Sequence, residues 1–258
     1  MTGDPNDSQL RRFEGRRALI TGASRGIGAG IAERLAAEGA DVALVARTRS
    51  SHAHLDGSLD ETAERCAVHG ASVAIVVADL TDVEQRAGIV PSAVEQLGGS
   101  VDILVNNAAA AIYQPVTETS LKRRHLMFEA NVHAPLDLAT AVIPAMTEAG
   151  EGWIINLSSG TARPWPGPPF EVGSLGTTIS LYGASKAALD RMTNGLGAEL
   201  YGTGIRVNTV QPRAAVLSEG AVALACCAED VTGRVTVSLD NLVDFGLEVR
   251  GLDARPLA

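Results

Sequence analysis

Six short apolar runs recur along this chain, at 17–21, 41–46, 72–77, 101–105, 153–157 and 205–210, and none alternates strictly between apolar and polar residues. A strand with one face in water alternates, whereas a strand covered on both faces does not. The runs are too brief to stand as helices, and helical patterns fill the intervals between them. Alternating strand and helix signals from about residue 17 to 210 therefore predict an α/β fold, a doubly wound parallel sheet with helices on both faces. The turn signal Thr232-Gly233 predicts a seventh strand over Arg234 to Leu239.

Among the helices, the pattern predicts one over Ile27 to Glu38, with Ile31 and Leu35 on one face and Gly39 as the stop. A long helix is expected over 123–149 although Pro135 and Pro144 each remove an N–H and can kink it. The run Arg163-Pro164-Trp165-Pro166-Gly167-Pro168-Pro169-Phe170 reads as a loop, because its proline density excludes a helix.

With 258 residues, 46% of them apolar and only 3% aromatic, the chain can bury one large aliphatic core. We expect a single domain over 13–258 after a disordered extension at 1–12. A formal charge of −9 leaves no continuous basic face, which argues against nucleic acid or an anionic membrane as a main partner. Met1 to Arg12 is polar, and no run reaches the roughly 18 apolar residues of a membrane span. Cys66 stands far from the adjacent Cys226 and Cys227, so the three cysteines form neither a disulfide framework nor a metal-ligand spacing. These features predict a cytoplasmic protein. No metal site is expected: His52 and His54 lack a third ligand, His125 and His133 read as packed or exposed helical residues, and Cys226-Cys227 reads as space-filling.

The first apolar run leads into Thr21-Gly22-Ala23-Ser24-Arg25-Gly26-Ile27-Gly28, where the chain passes from strand to helix. In a doubly wound sheet this turn lets a dinucleotide pyrophosphate approach backbone amides at a helix N-terminus. The second strand ends in Val45-Ala46-Arg47-Thr48-Arg49, without the acid that bonds the ribose 2′-hydroxyl of NAD. Arg47 is placed to fork onto a 2′-phosphate and Arg25 to close on it from the other side, so NADP(H) is expected over NAD(H). Asp79-Leu80 and Asn106-Asn107-Ala108-Ala109 follow the third and fourth strands at the carboxyl edge, where a ligand would lie. Asp79 could accept from the adenine amine, while Asn107 is open to either a cofactor or a turn role.

The ordered set Thr-Gly-x-x-x-Gly-x-Gly, Asn-Asn-Ala-Ala, a helical Asn, Ser158-Ser159, Tyr182-x-x-x-Lys186 and Arg206-Val207-Asn208 resembles the short-chain dehydrogenase/reductase family over roughly residues 13–212. The resemblance implies Asn131, Ser159, Tyr182 and Lys186 as the catalytic group, and Gly22, Gly26, Gly28, Asp79 and Asn107 around a nicotinamide cofactor. It also implies a homodimer or homotetramer acting on a small carbonyl or alcohol. The residues themselves fit that chemistry. Tyr182 and Lys186 are four apart and share a helix face. A phenol of ordinary pKa about 10 becomes a workable acid or base when a nearby cation favours the phenolate. Ser159 can donate to the oxygen on which charge develops. Asn131 either bonds backbone or, as the resemblance has it, holds a water that relays protons to Lys186.

Two departures stand out. After Pro212 come Arg213-Ala214-Ala215-Val216 in place of the family's glycine and threonine, and the substrate-covering segment that should follow is shortened. Upstream, Ser159 and Tyr182 lie 23 positions apart, more than the family's usual spacing, with Trp165 and Phe170 between them. Trp165 is therefore a candidate substrate contact on a stiff loop standing in for the lid. The reading is an NADP(H)-dependent oxidoreductase interconverting a ketone or aldehyde with an alcohol. The alternatives are a nucleotide-binding regulatory protein with little or no turnover, or an NAD-linked alcohol dehydrogenase.

Overall fold

The computed structural model describes residues 11–50, 56–170, 177–212, 217–237, 250 and 252–254, without the side chains of 217–220. Expectations for 1–10, His52, His54, Arg213 to Val216 and residues 238–239 of the expected seventh strand lie outside the described residues.

Seven strands, β1 (Arg17–Thr21), β2 (Asp41–Ala46), β3 (Val73–Val77), β4 (Ile103–Asn106), β5 (Gly152–Leu157), β6 (Ile205–Gln211) and β7 (Val235–Val237), form one sheet in the order β3-β2-β1-β4-β5-β6-β7. Every pairing is parallel. The missing alternation in the apolar runs has its cause here. Ala18 and Ile20 of β1 face one core and Leu19 the other; likewise Ile103 and Val105 of β4 oppose Leu104, and Trp153 and Ile155 of β5 oppose Ile154. Each face is covered by helices, so successive residues are buried on opposite sides of the sheet.

Helices α1 (Gly26–Ala37) and α2 (Leu59–Ala67) bury Ile31, Leu35 and Leu59 in the first core, and α8 (Leu217–Leu224) adds Val222 and Leu224. Ile89 of α4 (Ile89–Leu97), which follows the short α3 (Val83–Ala87), lies in the second core with Val142 of α6 (Ala134–Ala149). Glu38 closes α1, fully buried, where Arg34 bonds it at 2.7 Å and Arg12 at 2.8 Å. Two converging guanidinium groups compensate the desolvation of that carboxylate.

The segment expected as one helix over 123–149 is divided. α5 (Leu121–Phe128) starts on Ser120, whose hydroxyl accepts from the Arg123 N–H, and a π turn at Glu129–His133 separates it from α6. Pro135 falls in the first turn of α6. Its missing N–H thus sits where the regular hydrogen-bond ladder is already interrupted. Helix α7 (Ser180–Glu199) runs without a break and carries the Tyr182–Lys186 pair. Among the described residues no helix is long and apolar enough to cross a membrane.

Candidate active site

The sheet reverses its direction of growth between β1 and β4, and the candidate site opens at the carboxyl ends of those strands. The turn after β1 is packed to the limit against the segment after β4. A Cβ on Gly28 would lie 2.4 Å from both the Gly22 carbonyl oxygen and Asn107 Nδ2, so only glycine fits. Asn107 ties the two segments: its side-chain amide donates to the carbonyls of Thr21 at 2.9 Å and Gly22 at 3.2 Å, and its N–H donates to Thr21 Oγ1 at 3.0 Å. The structural role left open for Asn107 is thus filled, although the residue also lines the cavity.

A cavity of about 910 Å³ lies along this edge, lined by Gly22, Ser24, Arg25, Arg47, Asp79, Leu80, Asn107 and Ala108 among others. Ile27 instead packs against the first core. α1 begins at Arg25 with no side-chain cap and no acid in its first turn, which leaves a positive helix end facing the cavity. Arg25 donates from Nη2 to the Gly57 carbonyl at 3.4 Å, while its buried Nη1 has no partner. Arg47 stands exposed at the rim. An orphaned guanidinium nitrogen, a second arginine and no acid at the end of β2 fit a dinucleotide bearing a 2′-phosphate. Asp79 accepts from the N–H and hydroxyl of Thr81 at 2.9 and 2.8 Å, which shapes the loop after β3, and the Leu80 carbonyl accepts from Arg86 at 2.7 Å.

The four residues expected to act on substrate converge beyond β4 and β5. Asn131 is fully buried in the π turn. Its Oδ1 accepts from the Ala110 N–H at 2.8 Å, and its amide donates to the Ala110 carbonyl and to Ser185 Oγ, both at 2.9 Å. Both ends of the amide are therefore engaged in holding the post-β4 segment to α7. Ser159 follows β5, and its hydroxyl lies beside the phenol of Tyr182. Tyr113 packs edge-on against the Tyr182 ring, with centroids 5.8 Å apart, and is itself 59% exposed.

The electrostatics differ from the expectation that Lys186 lowers the phenol. Burial pushes Tyr182 above its ordinary value, Tyr113 adds to this, and the neighbouring Ser159 hydroxyl opposes it. Lys186 is only 2% exposed and donates to the Leu157 carbonyl at 2.7 Å. Burial lowers it from 10.5 to about 8, against the pull of the Asp190 carboxylate one turn further along α7. Burial also raises Asp190, opposed by the neighbouring Ser158, Thr209 and Gln211 side chains, of which Gln211 donates to it at 3.4 Å, and by the charge of Lys186.

The chain matches the short chain dehydrogenase family over residues 16–220. It belongs to this family. An uncharacterized oxidoreductase of Staphylococcus saprophyticus is 35% identical over 195 residues, 76% of each chain. Hydroxysteroid dehydrogenase-like protein 2 of Bos taurus is 34% identical over 218 residues, covering 82% of this chain and 48% of that protein, so the chain spans about half of that relative's length. A crystal structure of a metagenomic short-chain oxidoreductase in complex with NADP superimposes with a TM-score of 0.74 at 28% identity, over 88% of this chain and 98% of that one.

Within the family frame, Tyr113 and Asp190 are site residues that the motifs do not reveal. Asp190 carried one signal, its i+4 spacing from Lys186; Tyr113 carried none, because it reaches Tyr182 only through the fold. Trp165 stands 47% exposed on its loop. Among the described residues no group of three or more His, Cys, Asp and Glu could hold a metal ion.

The chain has two lysines, Lys122 and Lys186, which makes the buried one directly measurable. Nuclear magnetic resonance of isotope-labelled lysine side chains, assigned with Lys186→Met, should show one ammonium titrating near 8. Because the folded value is lowered, the native state binds fewer protons than the unfolded chain above that pH. Lys186 should therefore make stability rise as pH increases from about 8 towards the unfolded lysine's value of about 10.4. Urea midpoints that rise identically in Lys186→Met would show that the residue is not buried in this way.

Proposed function

We propose that the protein interconverts a ketone or aldehyde with the corresponding alcohol, using NADP(H) in preference to NAD(H). The observation that carries this reading is Ser159 beside the Tyr182 phenol, with buried Lys186 one helical turn on, in a fold whose β1–β4 edge opens a cavity bearing two arginines. When bound, the reduced nicotinamide supplies a hydride to the carbonyl carbon. Tyr182 gives its proton to the carbonyl oxygen, and Ser159 donates a hydrogen bond to the same oxygen as charge develops there. A phenol raised by burial is protonated at neutral pH, the state that reduction needs; oxidation needs the phenolate and so gains as pH rises. Lys186 holds positive charge near the phenol, and Asn131 keeps the segment after β4 registered on α7.

The same proposal places the enzyme in the cytoplasm, in keeping with a cysteine spacing that forms no disulfide framework, as a homodimer or homotetramer. Exposed Leu121 and Leu136 on α5 and α6 support the assembly, and a monomer mass by light scattering would remove it.

Incubation with NADPH and a panel of ketones and aldehydes should consume the reduced nicotinamide; binding without consumption across the panel would favour a nucleotide sensor. Arg47→Ala should weaken NADPH binding by about tenfold or more, the loss of one charge-assisted hydrogen bond, while leaving NADH unchanged. Equal losses for both dinucleotides would count against the 2′-phosphate reading. For the proline-rich loop as substrate wall, Trp165→Ala should raise KM for the carbonyl substrate without altering NADPH affinity, and an unchanged KM would remove that role.

A further inference from the structure

Ser159 does not stand alone at the end of β5. It caps the short 3-10 turn Gly160–Ala162, and Thr161 of that turn addresses it twice. The Thr161 N–H donates to Ser159 Oγ at 3.2 Å, and the Thr161 hydroxyl lies 2.9 Å from the same oxygen. The turn itself is held firmly on α7: a Cβ at Gly183 would sit 2.5 Å from the Thr161 carbonyl oxygen, so the residue beside Tyr182 must be glycine for the two segments to meet.

Donor and acceptor capacity turns this geometry into a direction. A serine hydroxyl donates once and accepts at two lone pairs. The Thr161 N–H occupies one lone pair, and the Thr161 O–H can occupy the second. The Ser159 hydrogen is then the group left to address the neighbouring Tyr182 oxygen, so towards it Ser159 donates rather than accepts. Without the Thr161 hydroxyl, Ser159 could rotate and accept the phenol's proton instead, turning that proton away from a substrate.

We propose that Thr161 is a positioning residue, which commits the Ser159 hydroxyl as a donor towards the Tyr182 oxygen and, with substrate bound, towards the carbonyl oxygen. Its consequence for turnover rests on the reductase reading above, whereas its consequence for the phenol does not. A donor held on the Tyr182 oxygen favours the phenolate, in keeping with the downward pull of Ser159 on this group. Of the other ionisable groups, Tyr113, from the segment after β4, acts on the phenol, and Lys186 and Asp190 follow on its own helix. The elements packed against α7 add Lys122, Arg123, Arg124 and His125 of α5 and His133 of the π turn, all exposed, and Glu129, which is paired with Arg86. Gly160–Ala162 carries none, and Arg163 just beyond it is exposed.

The experiment is a phenolate absorbance titration of the whole protein. Its three tyrosines make it tractable, with Tyr182→Phe subtracted to isolate Tyr182. Thr161→Val, close in shape but without the hydroxyl, should move the Tyr182 titration up by about half a pH unit, and Thr161→Ser should restore it. In the Ser159→Ala background Thr161→Val should change nothing, a result that a merely structural role would not give. If Thr161→Val does not fold, Thr161→Ala against Thr161→Ser makes the same comparison. With NADPH and a carbonyl substrate, Thr161→Val should lower kcat about tenfold at unchanged KM for NADPH. A Thr161→Val titration that matches the wild type, or a Thr161→Ser that behaves like Thr161→Val, overturns the proposal. A shifted titration in a protein that turns over no carbonyl would uphold the role of Thr161 and sink the reductase reading alone.

Discussion

The close approach of two turns at the centre of the sheet is the constraint on which the molecule depends. Parallel pairing of β1 with β4 brings the segment after each strand to the same edge, and there the backbone of Gly22, the missing side chain of Gly28 and the amide of Asn107 occupy one contact. Nothing larger than a hydrogen is tolerated at Gly28. The contact does two things at once. It closes the joint between the halves of the sheet, and it leaves the N-terminus of α1 uncapped towards the cavity. A joint made instead by bulky side chains would have held the sheet but pushed any phosphate away from the helix end.

A second set of contacts sets α7 against the sheet. Asn106 at the end of β4 donates to Asn156 of β5 at 2.8 Å, and Asn156 donates to Thr193 of α7 at 2.8 Å. These three residues are buried, and the two donations link β4, β5 and α7 where water cannot reach, although the Asn106 Oδ1 is left without a partner. Two turns nearer the N-terminus of α7, Lys186 reaches the Leu157 carbonyl and Ser185 meets Asn131. Further still, Gly183 admits the Thr161 carbonyl. From Thr193 to Tyr182 the helix is thus pinned along its length by polar contacts to elements on either side, which is how a side chain at its first turn can be placed accurately.

The sheet was legible because its signal is local. Each apolar run maps onto a strand to within two residues at either end, since burial on both faces marks every residue in turn. The exceptions do not have local signals: β4 runs on to Asn106, which pairs with Asn156 of β5 across the sheet, and the expected helix over 123–149 is divided at a π turn that no apolar spacing marks. The glycine turn and the Tyr182–Lys186 pair were legible for the same reason. Thr161, Tyr113 and Asn131 were less so. Thr161 looks like an ordinary turn residue, and its meaning lies in a hydroxyl two positions away and a glycine on another helix. Asn131 was found by resemblance, yet its bonds to Ala110 and Ser185 come from segments 21 and 54 positions distant.

Burial acts on the two ionisable groups of α7 in opposite senses, and the outcome bears on when the lysine matters. It raises the phenol of Tyr182 and lowers the ammonium of Lys186, in both cases favouring the neutral form. Near neutral pH the phenol keeps its proton, and the lysine, lowered only to about 8, still carries most of its charge, helped by Asp190 and the Leu157 carbonyl. Before proton transfer the lysine therefore faces a neutral ring, and its attraction to that ring is slight. In the proposed reduction the transfer leaves a phenolate one helical turn away, in surroundings where charges are poorly screened. The ammonium then stabilises a charge that did not exist in the resting site. A lysine bonded to a backbone carbonyl rather than to the phenol serves this role well, because it is held in place without opposing the protonated state from which reduction begins.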